Sequence, residues 1–316
     1  MLVKNGKSMR PMIALACAFA LSLSPVSAEW RRGAGLPTAV PHAVAAEMEG
    51  KLFVMSGKVG QGLRSFFEQY DLRNDGWRPL TPMPVAVSQF GLAAASGRVL
   101  VSGGRDNRNA KITDDLWLYA PDTAVWLELG ALPSPRADHV SFFDGNRLFL
   151  FGGIGRDAAR VQSYNMQTGK WSNWKNPMPV AVSAAAATRY GDEVVIAGGQ
   201  DQRGRPVKNV QAFNLKTGTW RKLPALPLAV TGGALGVLND GLHFAGGFSK
   251  AKGKVLDSHN RLVGKRWQRQ EPMPSGGRHR MAYYADGEQL TLIGGAVGGG
   301  FYAAFTASDR VSIFRP

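Results

Sequence analysis

Cysteine is all but absent from this chain. The only one in 316 residues is Cys17. It lies inside an apolar run, Ile13 to Leu23, with Lys4, Lys7 and Arg10 before it and the small residues Val26-Ser27-Ala28 after it. A basic start, an apolar stretch and a small-residue end read as a secretory signal, residues 1–28, cleaved to leave a mature chain from Glu29. The run continues past Cys17 from Ala18 to Leu23, which argues against an acylated cysteine. It is also short of the ~20 apolar residues of a spanning helix. The expectations are a periplasmic or secreted protein, no stable membrane insertion after cleavage, and a mature chain without disulfide or thiol nucleophile.

Acidic residues are scarce too, with 23 Asp and Glu against 38 Lys and Arg, a formal net charge of +15. Removing the signal takes away three cations and leaves +12. Histidine is represented by five residues, and no Gly-Lys-Ser/Thr sequence follows the glycine run at Gly298 to Gly300, which excludes a P-loop there. That run, with Phe301 and Tyr302, reads as a flexible turn and lies in the one loop of its kind without charge.

Glycine (39) and proline (18) are well supplied, and they recur. Trp30, Trp77, Trp126, Trp171, Trp220 and Trp267 are separated by 47, 49, 45, 49 and 47 residues. Pro37, Pro84, Pro133, Pro179, Pro227 and Pro274 step by 47, 49, 46, 48 and 47. Gly57, Gly104, Gly153, Gly199, Gly247 and Gly295 step by 47, 49, 46, 48 and 48. Three markers on one period near 48 indicate an array of small supersecondary units. The unit from Trp126 to Gly153 shows the layout. A Leu-Pro corner leads to a strand over Val140 to Phe143, an Asp-Gly-Asn turn, and a second strand over Leu148 to Phe151 that is apolar on both faces. After Gly152-Gly153 come a third strand over Val161 to Asn165, a Thr-Gly turn, and a fourth strand from Trp171.

The order of apolar strand, Gly-Gly, Tyr or Phe with Asp or Asn, Thr-Gly-x-Trp and Met-Pro resembles the kelch repeat. The resemblance spans residues 29–316 and implies an all-β, six-bladed β-propeller in a single domain. Blade 1 departs from it with Ser56-Gly57, and blade 5 has only a weak third strand near Asp257 to Leu262. The last unit stops after three strands (Met281 to Tyr284, Leu290 to Ile293, Arg310 to Phe314), while the mature chain begins with a fourth strand over Trp30 to Leu36. The N-terminal strand is therefore expected to complete the last blade and remove the open edge.

In such a propeller the loops between strands 2 and 3 share a face with those between strand 4 and the next strand 1. The 2–3 loops carry Lys58, Arg64, Arg105, Arg108, Lys111, Arg156, Arg160, Arg203, Arg205, Lys208, Lys250, Lys252 and Lys254 against Asp106, Asp157 and Asp201. The 4–1 loops add Arg136, Arg278 and Arg280. One face would thus carry nearly all the excess charge and favour an anionic partner. Guanidinium groups suit carboxylate and phosphate, so the ligand-binding expectation falls on Arg105, Arg136, Arg156, Arg203, Arg205 and Arg278. The partner is an anionic small molecule, an acidic glycan or an acidic protein segment; nucleic acid does not match an exported protein. No metal or cofactor is expected. His42, His139 and His279 follow their corner prolines by five or six residues, but Pro-x-x-Arg-x-x-His is itself a kelch pattern that holds the blade.

Non-catalytic binding is the leading expectation. Copper-radical kelch oxidases need a cross-linked cysteine, which the mature chain lacks. The alternative is an N-acetylneuraminate (sialic acid) mutarotase-like epimerase. Gly232 to Gly247 resembles that family, as does the layout of a signal followed by six blades. The resemblance implies a glutamate after a blade glycine and an arginine nearby, for proton transfer and carboxylate binding. The matching stretch is Gly199-Gln200-Asp201-Gln202-Arg203-Gly204-Arg205. Gln200 stands at the glutamate's place and cannot serve as a base. Asp201 and Arg205 are then the catalytic candidates.

Overall fold

The computed structural model describes residues 28–57, 65–274 and 276–316, and, within these, all side chains but those of Phe301 and Ala304. The expected signal, residues 1–27 of it, and the rim cations Lys58 and Arg64 lie outside the described residues. Six sheets of four principal strands form the six blades, each ordered by sequence except the last. Blade 3 runs Val140–Asp144, Arg147–Phe151, Gln162–Asn165 and Lys170–Asn173. Blade 6 takes Ala282–Ala285, Leu290–Ile293 and Val311–Arg315 from the C-terminus and Glu29–Gly33 from the N-terminus. The closing strand is antiparallel to Val311–Arg315, with Trp30 opposite Phe314 and Gly33 opposite Val311. It ends at Gly33, short of Leu36, which turns inward as a buried core residue. Blade 5 does have a full third strand, His259–Val263, starting two residues later than the sequence pattern suggested.

Blades are joined by the repeat's marker residues. Each of the six tryptophans donates its indole N–H to a carbonyl near the corner of the preceding blade: Trp77 to Ala34 at 2.9 Å, Trp126 to Thr81 at 2.8 Å, Trp171 to Ala131 at 3.0 Å, Trp220 to Asn176 at 3.2 Å, Trp267 to Pro224 at 3.0 Å. Trp30 completes the circle by donating to Glu271 at 3.0 Å while packing on Phe314 and His259. The tryptophans are half-buried rather than fully enclosed, so their contribution combines packing with a directed hydrogen bond.

The glycine pairs serve close approach. Gly152 and Gly153 have φ of +65° and +96°, and a Cβ on Gly152 would lie 2.1 Å from the Val182 carbonyl of the next blade. The second glycine's N–H donates across the same seam: Gly104 to Arg136, Gly153 to Val182, Gly199 to Val230, Gly247 to Arg278, Gly295 to Val40, all within 2.8–3.0 Å. Nearest the axis a third belt links the residues just before each first strand. The N–H of Asp138 donates to the Gln89 carbonyl, Ala184 to Asp138, Gly232 to Ala184, Arg280 to Gly232 and Ala43 to Arg280. Gln89, Asp138, Ala184 and Arg280 hold this geometry at φ between +50° and +56°, where a non-glycine residue is strained.

Removing Glu29 to Leu36 should open blade 6, expose the edge of Val311–Arg315 and abolish cooperative thermal unfolding, with aggregation on heating. A truncated protein that melts as sharply and as high as the full chain would refute closure by this strand.

Candidate functional site

A cavity of about 760 Å³ runs down the propeller axis, lined by the first strand of every blade. The strand registers set equivalent positions. Val44, Gly91, Val140, Ala186, Ala234 and Ala282 each open the pairing with their own second strand. Two residues earlier, at the mouth, stand His42, Gln89, Asp138, Ala184, Gly232 and Arg280. The six repeats carry six different residues here.

Asp138 and Arg280 belong to blades 3 and 6, opposite each other in a ring of six. Their side chains span the opening. Arg280 donates from both terminal nitrogens to the two Asp138 oxygens, at 2.9 and 3.1 Å. The Asp138 side chain is 7% exposed and that of Arg280 22%. Gln89 Nε2 donates to Asp138 Oδ2 at 2.8 Å, and Arg105 Nε donates to Gln89 Oε1 at 3.0 Å. The network therefore holds two guanidinium groups against one carboxylate, which leaves one positive charge over. The adjacent Asp138 carboxylate raises the Arg280 pKa above its ordinary value, so the guanidinium stays charged. Three residues deeper, Tyr283 reaches from blade 6 past blade 5 to blade 4. Its hydroxyl accepts from the Ala187 N–H at 2.6 Å and donates to the Ala187 carbonyl at 3.1 Å. The cavity thus has a charged bar at its mouth and a tyrosine below it, and it continues past both to Phe143, Arg189, Val237 and Ala285.

Isolated bridges between Ala137 and Ile154, Ser183 and Gln200, Thr231 and Phe248, and His279 and Ala296 tie the 4–1 segments to the 2–3 loops and put both on one face. The arginines expected to bind there divide into three kinds. Arg136 and Arg278 are corrected: they are buried, at 1% and 0% exposure, and face into the blades. Arg136 donates to the carbonyls of Gly152, Asp157 and Arg160 and to Gln162 Oε1, and Arg278 to the carbonyls of Gly294 and Arg310 and to Ser312 Oγ. Burial pushes each down to about 10 without discharging it. They act as internal braces, because a fixed fork of donors matches the carbonyls that the glycine turn leaves unpaired. Arg105 is brought to the mouth through Gln89. Arg156, Arg203 and Arg205 are exposed and outside the residues that line the cavity.

Asp201 caps its own loop. Its Oδ1 accepts from the N–H groups of Arg203 and Arg205, both at 2.9 Å, and its Oδ2 accepts from Arg205 Nε at 2.8 Å. These bonds, that of the Arg205 side chain first, hold its pKa below the usual carboxylate value, which weakens it as a base. The analogous ion pairs Arg108–Asp106 and Arg160–Asp157 show the same arrangement of loop acid on loop arginine. His42, His139 and His279 fall at three different offsets, and among the described residues no group of three His, Cys, Asp or Glu side chains is arranged to hold a metal. No described helix is long and apolar enough to cross a membrane.

The domain model described as KLHDC2/KLHL20/DRC7 Kelch-repeats matches residues 89–295. The chain is a kelch-repeat protein. It is 26% identical to Kelch-like protein 40 of Xenopus tropicalis over 228 residues, covering 68% of this chain and 37% of that one. It is 28% identical to Kelch repeat-containing protein At3g27220 of Arabidopsis thaliana over 202 residues, covering 60% and 46%. The chain spans less than half the length of these relatives. Among solved structures, that of YjhT superposes with a TM-score of 0.76 at 19% identity, over 88% of this chain and 95% of that one, a likeness of fold.

The sequence reading passed over Asp138 and counted Arg280 only as a rim charge. The available signal was a position, two residues before each first strand, at which all six repeats differ.

Burial holds His139 and His259 down at about 3, well below 6.5. The unfolded chain therefore binds protons at these sites that the folded chain refuses. Their stabilising effect is complete above pH 6.5 and is lost as pH falls toward 3. The melting temperature should already decline between pH 7 and pH 5, above the range where carboxylates titrate; a flat profile there would contradict neutral, buried imidazoles.

Proposed function

We propose that this kelch propeller binds a small anionic ligand, an acidic sugar, in the mouth of its axial cavity. The observation that carries the proposal is the Arg105–Gln89–Asp138–Arg280 network, with its surplus positive charge in a half-buried opening. Asp138 fixes the plane of the Arg280 guanidinium, so little order remains to be gained on binding, and the outward N–H groups are aimed at an incoming carboxylate. Arg156, Arg203 and the neighbouring lysines act at longer range, raising the local concentration of anions. The small residues Ala184 and Gly232 leave one side of the opening free for the ligand's bulk.

Isothermal titration of the mature protein with N-acetylneuraminate and with glucuronate tests the site. Arg280→Met should weaken binding at least tenfold, about 1.4 kcal/mol. Reversing Arg156 and Arg203 to glutamate should slow association and flatten its salt dependence, with less effect on dissociation. Binding that survives Arg280→Met unchanged would exclude the mouth as the site.

A second reading is favoured by one further feature. Asp138 places a carboxylate beside the clamp, where Asp201 offers only a loop cap. An acidic sugar held at Arg280 would present its anomeric hydroxyl to a general base. The base takes the hydroxyl proton, the ring oxygen gains a proton, the bond between anomeric carbon and ring oxygen breaks, and the ring recloses on the other face. Proton NMR of freshly released α-N-acetylneuraminate should then show accelerated conversion to the β anomer, lost in Asp138→Asn and kept in Asp201→Asn. Conversion at the spontaneous rate with the unaltered protein would leave binding alone.

A further inference from the structure

The wall between blades 2 and 3 contains a polar cluster on the side that faces the axial cavity. Ser102 Oγ lies 2.8 Å from His139 Nε2 and 2.7 Å from Ser141 Oγ. Ser102 and His139 are buried, and His139 Nδ1 is buried without a hydrogen-bond partner. All three groups converge on one point, the space a side chain at Gly91 would take. A Cβ there would meet Ser141 Oγ at 2.0 Å, His139 Nε2 at 2.5 Å and Ser102 Oγ at 2.8 Å. The other five blades have valine or alanine at this register position, and the glycine is not needed for a left-handed backbone. Gly91, His139 and Ser141 all line the axial cavity.

Counting hydrogens shows what the cluster offers. Ser102 has one proton for two neighbours. If it donates to Ser141, it accepts from His139 Nε2–H; His139 Nδ1 is then a bare lone pair, and the Ser141 proton is free to point into the cavity. If it donates to His139 Nε2, Ser141 donates to Ser102 and faces the cavity as an acceptor. Both states leave the buried His139 Nδ1 unpaired, as a lone pair in the first and as an N–H in the second, so that atom favours neither. The two states present Ser141 to the cavity with opposite polarity and the same net charge, and they differ in the imidazole tautomer. A hydroxyl group, itself donor and acceptor, is the partner that matches both states.

We infer that Ser141, backed by Ser102 and His139 and opened by Gly91, is a notch that takes a hydroxyl group of the ligand whose carboxylate sits at Arg280. The inference rests on the mouth as the ligand site and specifies the other end of the ligand. Ser141 follows Asp138 by three residues, Asp138 standing two residues before the strand Val140–Asp144 that carries Ser141, so the backbone gap is at most ~11 Å. Side chains at both ends shorten that gap to roughly one sugar ring. Ser141 and Tyr283 each stand one residue beyond the first ladder pair of their strands, so a ligand entering from the mouth meets both at the same depth. His139 stays neutral across physiological pH because burial opposes its protonation, so the cluster meets the ligand as an uncharged hydrogen-bonding group.

Three probes separate the two ends: glucuronate, with carboxylate and hydroxyls; cyclohexanecarboxylate, with the carboxylate alone; and glucose, with the hydroxyls alone. Each is titrated calorimetrically and by following the ¹⁵N resonances of the His139 ring. Glucuronate should bind about tenfold more tightly than cyclohexanecarboxylate, and glucuronate and glucose, but not cyclohexanecarboxylate, should shift the His139 signals. Ser141→Ala should abolish the preference and the shift while leaving cyclohexanecarboxylate affinity unchanged. Gly91→Ala, which fills the notch from the facing strand, should do the same. A silent His139 ring with both acids bound, or a preference intact in Ser141→Ala, overturns the notch and leaves the mouth reading standing. If neither acid binds, the mouth reading fails, and glucose decides the notch alone: a His139 shift lost in Ser141→Ala supports it, and no shift overturns it.

Discussion

The indole hydrogen bond between neighbouring blades is the interaction on which this molecule depends. A four-stranded blade has two apolar faces and no core of its own, so its stability comes from what the adjacent blade covers. Each tryptophan closes that contact with a flat apolar surface and one N–H aimed at a carbonyl near the preceding corner. The chain of such contacts works only if it returns to its start. Trp30, from the strand Glu29–Gly33, makes the return by reaching the Glu271 carbonyl in blade 5. Without it five junctions would remain intact, yet the ring would be open and one sheet edge exposed.

Because the outer tryptophans and the glycine-pair seams carry the packing, the innermost position of each blade has little structural duty beyond its backbone hydrogen bond. That is why its side chain varies from aspartate to glycine to arginine. The backbone there is under strain, with four non-glycine residues at positive φ, and the surrounding belt of N–H to carbonyl bonds holds it. Strain over-determined by its surroundings is a recurrent mark of functional sites. Here it turns side chains into the cavity instead of along the blade faces, which is the orientation in which Asp138 and Arg280 can meet.

The architecture was legible because tryptophan, proline and glycine each have one physical role in the repeat, and periodic roles leave periodic letters. Closure was legible from the missing fourth strand at one end and the surplus one at the other. The site was legible only in part, for reasons of physics. Arg136 and Arg278 count as cations in any charge sum, but their value lies in donors that pair with backbone carbonyls, and carbonyls leave no letter in a sequence. Asp201 and Arg205 sit four residues apart and satisfy each other, so a pattern that suggests base and clamp also describes a self-contained turn. The converse holds for Asp138 and Arg280. They are 142 residues apart, and only the ring, counted three blades around, puts them face to face.

Charge on this face therefore has two functions that composition merges. Loop arginines paired to loop aspartates shape the rim and contribute little net attraction at contact, since exposed pairs are worth less than ~1 kcal/mol. The Asp138–Arg280 pair is different because it is largely buried and held by Gln89. In that setting removing either partner strands the other, and replacing the lost partner with a ligand's charge restores the balance. A pocket built this way discriminates by charge at its mouth and by shape below it. The absence of a side chain at Gly91, in a wall where every other blade has one, is where shape departs from repetition.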